Sequence, residues 1–262
     1  MAAVPERNEV SSRAMKWRVL NHAALVAALC WCGWVPFGLA AEGPGLSLNE
    51  ILRRTEAQYQ KIQAFTATFR QVTSSGAASS MATEAYGKLY YQKPRQMHWA
   101  YEEPEKQVFV ANQRLAWLHI PSEKQISLFD AKTFFSSPLA QTFFDGIIEL
   151  RKHFEVSLDP RLSTEELAVL NLTPKKEDPN IKSLSLTVDL TTYRISTIES
   201  IDALGNSNRI SLEGQTILPR VDSALFQLSI PPSTTVVDPD GREIPPADID
   251  RLKQELQSKQ GT

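Results

Sequence analysis

Residues 88–104 read KLYYQKPRQMHWAYEEP, two strand-like halves separated by one proline. In the second half Met97, Trp99 and Tyr101 alternate with Gln96, His98, Ala100 and Glu102, so three large side chains share one face of an extended strand. Leu89 and Tyr91 alternate in the same way in the first half. A sheet built from such strands needs a cover for its apolar face, and the chain around them offers few helices.

The neighbouring segments have the same character. FTATFRQVTS, residues 65–74, alternates Phe65, Ala67 and Phe69 with polar partners, and runs into SSGAASSMA, which reads as a polar loop. QVFVAN, RLAWLHIP and EKQISLF follow as short strands parted by turn residues, which predicts a meander of antiparallel neighbours. Further on come FEVSL, LAVLNLTP, IKSLSLTVDL, RISTIESID, NRISLEG and LFQLSIP. In these, Leu184, Leu186, Val188 and Leu190 alternate, as do Phe226, Leu228 and Ile230, and Gly205-Asn206 suits a tight turn.

Two helical stretches interrupt the strands. Ser47 and Glu50 have capping-box spacing, and Leu48, Ile51, Leu52, Thr55, Tyr59 and Ile62 then form one stripe opposite Arg53, Arg54, Glu56 and Lys61. Ser137-Pro138 opens the second, PLAQTFFDGIIELRKHF, where Gly146 marks a break and Phe143 and Phe144 make it apolar on more than one side.

The chain's ends differ from its middle. Arg13, Lys16 and Arg18 precede an apolar run that closes on small residues, the layout of a secretory signal with cleavage after Ala40 or Ala41. A membrane anchor is the other reading, but an uninterrupted core of about 15 residues is short for a span. Both cysteines, Cys30 and Cys32, lie in this segment, so a processed chain has no thiol or disulfide. Removing residues 1–41 also takes the net charge from −2 to about −4. Neither value suggests a nucleic-acid partner. The expected organisation is a signal over 1–41, one domain over 42–238 and a loosely held, Pro-rich and charged tail over 239–262, in which Ile249, Leu252 and Leu256 allow a brief amphipathic helix.

Catalytic motifs are missing. There is no G-x-S-x-G elbow and no H-E-x-x-H. His98, His119 and His153 are not at metal-ligand spacing, and DPDGRE at 238–243 lacks the further ligands of a calcium loop. No cofactor, metal or catalytic residue is expected.

In order and spacing, FTATFRQ, GKLYYQKPRQMHWAYEEPEKQVFVANQRLAWLHIP, LNLTPK, IDALGNSNRISL and FQLSIPPSTTVVD resemble the bacterial outer-membrane lipoprotein carrier family, LolA, from about Leu48 to Asp238. The resemblance implies an α+β fold: an incomplete, half-open antiparallel β-barrel of one curved sheet, with helices forming a lid over its concave apolar face. It implies a monomeric, non-enzymatic periplasmic chaperone that carries acylated lipoproteins from an inner-membrane LolCDE-type transporter to a LolB-type outer-membrane receptor. Phe69, Leu89, Tyr91, Met97, Trp99, Tyr101, Trp117, Phe143 and Phe144 are then expected to line the acyl-chain cavity. Such proteins often carry Arg before the proline of the KP segment, tethering the lid through its backbone carbonyls. Here Lys93 stands in that place, with Arg95 beyond Pro94, either as lid latches or as solvated charges at a strand end. A binding or sensing module on the same fold, for another lipid or as a regulator, is the competing function.

Overall fold

The computed structural model describes residues 46–131, 135, 151–176, 181–249 and 251, with backbone alone for 78–81. The expected signal segment, Phe143, Phe144, most of the second helical stretch and the end of the tail lie outside the described residues.

Helix α1, Leu48–Lys61, starts where Ser47 accepts a hydrogen bond from Glu50 N at 3.3 Å. Only half of the capping box forms. Instead of reaching back to Ser47, the Glu50 carboxylate accepts from the guanidinium groups of Arg53 and Arg54, which hold its pKa down to about 2.

Twelve strands then build one curved, unclosed sheet: β1 Ala64–Ser75, β2 Ala78–Gln92, β3 Gln96–Glu103, β4 Gln107–Ala111, β5 Leu115–Ile120, β6 Gln125–Asp130, β7 Phe154–Leu158, β8 Leu167–Pro174, β9 Ser183–Asp189, β10 Arg194–Ile201, β11 Ser207–Leu218 and β12 Thr235–Val237. The order β12-β6-β5-β4-β3-β2-β1-β11-β10-β9-β8-β7 consists of two meanders joined where β1 meets β11. Every pairing is antiparallel except β12 with β6. β6 lies one strand in from one edge of the sheet and β7 forms the other edge.

Three local expectations are corrected. SSGAASSMA is not a loop: β1 and β2 run on through it to a two-residue turn at Gly76-Ala77, because their small side chains pair as Ser74 with Ala82. LFQLSIP is not a strand. Asp222 caps a short 3-10 helix, Ser223–Phe226, by accepting from Ala224 N, and the chain continues as an irregular strap. The segment after Asp238 is also held firmly, as far as it is described: Ile244 N donates to Val236 O at 2.8 Å, Val237 bridges Glu243, and Ile249 is buried. Its apolar residues find a face of the sheet to cover.

Candidate functional site

Strand register divides the sheet into two faces, since directly paired residues point the same way. One row on the inner face runs Phe129, Ala116, Ala111, Met97, Tyr91 and Phe65 across β6, β5, β4, β3, β2 and β1. A parallel row runs Leu118, Phe109, Trp99, Leu89 and Ala67. Past them Phe69 packs edge-on against Trp99 and Tyr101, with ring centroids 4.8 and 4.9 Å away. Gly87 lies directly opposite Phe69, and a Cβ there would stand 2.8 Å from that ring. The apolar surface continues onto the second meander through Leu212, Ile198, Leu186 and Leu170.

Phe69, Leu89, Tyr91, Met97, Trp99 and Tyr101 therefore lie together on one face. Trp117 does not, and its expected place is corrected. It pairs with Val110 and Leu128 and packs on the outer face with Phe226, Val236 and Ile249, beneath the C-terminal strap. In RLAWLHIP the odd and even positions are equally apolar, and a one-residue change of parity moves a side chain to the opposite surface.

The inner face is covered by α1, whose Ile51 and Leu52 bury against β7 to β10. The phenol of Tyr59 accepts from Ile195 N at 3.1 Å, and burial pushes its pKa up to about 12. Arg54 donates to Tyr193 Oη at 2.8 Å and lies over that ring. The connection between β6 and β7 touches the same face at its described residues: Ala131 and Phe135 are buried in the cluster around Trp99, and Arg151 donates to Asn49 of α1.

Lys93 and Arg95 flank Pro94 in the turn from β2 to β3, with Arg95 in the left-handed region at φ 50°. Lys93 Nζ donates to the carbonyl oxygens of Tyr59 at 2.7 Å and Gln60 at 3.3 Å, among the acceptors left over in the last turn of α1. Its ammonium also complements the negative end of the helix dipole, while partial burial lowers its pKa. Arg95 holds its guanidinium 5.5 Å from the centre of the Phe135 ring. The two cations thus touch the two separate pieces of the cover.

His98 and His119 are on the outer face, and the carbonyl of His153 accepts from Lys175 N. Among the described residues no group of three His, Cys, Asp or Glu side chains could hold a metal ion, and no helix is long and apolar enough to cross a membrane. Two groups escaped the sequence reading. Gln71 and Asn208 occupy inner-face positions in strands whose neighbouring inner positions are Phe69 and Ile210, and a polar residue at an apolar-face position was the available signal.

An open twelve-stranded sheet with one continuous apolar face, overlaid by α1, is the architecture that the described residues define. The chain belongs to the LolA family: the family model described as "Outer membrane lipoprotein carrier protein LolA" matches residues 60–229. It is similar to the outer-membrane lipoprotein carrier proteins of Chromohalobacter salexigens, 24% identical over 86% of this chain and 98% of the relative, and Azotobacter vinelandii, 21% identical over 75% and 92%. Among solved structures it is similar to an uncharacterized conserved protein from Thermus thermophilus, with 13% identity and a TM-score of 0.47 over 72% of this chain and 98% of the other.

Proposed function

We propose that this protein is a periplasmic carrier of lipoproteins, holding their acyl chains in the basin between the sheet and its helical cover. The observation that carries the reading is the continuous apolar inner face, spanning both meanders and overlaid by α1, in a member of the LolA family. Cargo would arrive from a LolCDE-type inner-membrane transporter and leave to a LolB-type outer-membrane receptor. Residues 1–41 would direct export and be removed, and the protein would work as a monomer without a cofactor and without catalysing a reaction.

Energetics favour such a container. Each methylene removed from water is worth about 0.8 kcal/mol, so two long acyl chains amount to more than about 20 kcal/mol. A free chain cannot cross an aqueous space unaided at that cost. Unloading still has to be feasible, which requires transfer between two apolar basins of nearly equal affinity. The empty basin must be shielded, because a large exposed apolar surface promotes association. A cover held by a few hydrogen bonds of about 1 kcal/mol each, such as those from Lys93, meets both needs.

Native mass spectrometry of protein purified from its own periplasm tests this. Acylated lipoprotein in the complex is the expected result, together with lipoprotein build-up at the inner membrane on depletion. Co-purification of a free lipid alone, with lipoprotein sorting unaffected, overturns the reading.

A further inference from the structure

The inner face is not uniform along the strands. Beyond Phe69 its positions turn polar: Gln71 and Thr73 on β1, Asn208 on β11, Ser200 on β10 and Tyr101 on β3. Tyr101 joins the two zones. Its ring packs on Phe69, while its hydroxyl donates to Gln71 Oε1 at 2.8 Å. Gln71 Nε2 then donates to Asn208 Oδ1 at 2.9 Å. This relay has a direction, and it ends on the Asn208 amide nitrogen, which has no acceptor among the described residues.

Among the described strand residues that share these inner-face positions, none is charged. The ion pairs nearest to it in sequence, Arg70–Glu84, Lys88–Glu102 and Arg209–Glu199, occupy the alternate strand positions and so face the outer side. Gln71, Tyr101 and Asn208 are half-buried, and Thr73 is exposed. Among the described residues the apolar inner face therefore grades into a neutral, hydrogen-bonding margin that solvent can reach.

We infer that Gln71, Tyr101 and Asn208 form a subsite for the neutral, carbonyl-bearing head of an acylated cargo: the ester and amide carbonyls that join its fatty chains to glycerol and to the first residue of the peptide. This rests on the acyl-chain reading above. The chains lie in the apolar basin, and a carbonyl oxygen accepts from Asn208 Nδ2, which the relay orients. Among the described residues a phosphate head finds no cation at these inner-face positions, so the subsite selects against anionic phospholipid of equal chain length.

The test compares a triacylated cysteinyl peptide with a matched analogue whose esters are replaced by ethers, alongside phosphatidylglycerol, by titration into the full mature protein. Wild type should bind the ester-linked peptide about three- to tenfold more tightly than the ether analogue, the range for one or two neutral hydrogen bonds. Asn208→Ala and Tyr101→Phe should abolish that preference, bringing the ester-linked peptide down to each variant's own affinity for the ether analogue; the Tyr101 variant keeps the ring on Phe69 and so guards against loss of packing. Equal binding of ester and ether forms by wild type overturns the subsite while leaving the acyl-chain reading intact. Phosphatidylglycerol bound as tightly as the peptide overturns it too, and failure to bind any of the three overturns both readings.

Discussion

Lys93, at the end of the β2 hairpin arm, reaches 2.7 Å to the carbonyl oxygen of Tyr59 at the far end of α1. The contact joins two elements 34 residues apart in sequence and fastens the cover at its C-terminal end. The resemblance puts Arg in this position, and Lys supplies the donors without the planar fork.

Replacing this lysine by methionine keeps its length and removes the donors. For a half-exposed ammonium the contact is discounted to about 1 kcal/mol, so Lys93→Met should speed amide exchange in the last turn of α1 by about fivefold. The melting temperature should change little. Unchanged exchange in α1 would remove Lys93 from any fastening role.

Trp99 and Trp117 separate the two faces experimentally. Both are buried, so either change to Ala should cost about 3–5 kcal/mol in urea unfolding. Only Trp99→Ala should alter the binding of a fluorescent long-chain lipid, since Trp117 packs beneath Phe226 and Ile249 on the other side. Equal loss of binding in both variants would contradict this division of the sheet.

Much of this was legible in the residues, for reasons tied to particular positions. Met97, Trp99 and Tyr101 alternate with Gln96, His98, Ala100 and Glu102, none of them a large apolar side chain, so period two assigns their face. LAVLNLTP could be bounded because the charged pairs Glu165-Glu166 and Lys175-Lys176 enclose an apolar-rich run. Trp117 could not be placed, because Leu115, Ala116, Trp117 and Leu118 are all apolar and parity there is fixed only by pairing with β4. Phe226, Leu228 and Ile230 alternate like a strand, yet Asp222 caps a 3-10 turn and the following residues serve as a strap on Trp117 and its neighbours. Local alternation records which residues seek burial. It does not say whether backbone pairing or a neighbouring surface satisfies them. The Gln71 relay was missed because its three members come from β1, β3 and β11 and meet only through the register.

Gly87 offers a test of the packing around Phe69. A Cβ there would meet Ala100 O at 2.0 Å and the Phe69 ring at 2.8 Å, and one of these is backbone. Gly87→Val should therefore destabilise the protein by about 2–4 kcal/mol and disturb the edge-on contacts of Phe69 with Trp99 and Tyr101. Near-ultraviolet circular dichroism should lose aromatic signal in parallel. A variant with unaltered stability and spectrum would show that the ring does not depend on the missing side chain.

His98 links pH to the strap on the outer face. Its Nδ1–H donates to the Leu225 carbonyl at 2.7 Å, and Tyr90 packs edge-on against the ring. Burial lowers its pKa from the ordinary 6.5, outweighing the opposite effect of the hydrogen bond. The sign follows from proton uptake. Above pH 6.5 the imidazole is neutral in both folded and unfolded chains, and its contribution to stability is fully present. As pH falls below that value the unfolded chain binds a proton which the folded chain still resists, so stability is lost until the lowered folded pKa is passed. Urea unfolding at pH 7.5 and 5.5 should thus show a larger fall in midpoint for wild type than for His98→Gln, in which the titrating group is gone. Exchange of the Leu225 and Phe226 amides should quicken at the lower pH in wild type alone. If the two proteins lose stability equally between these pH values, His98 does not couple protonation to the strap.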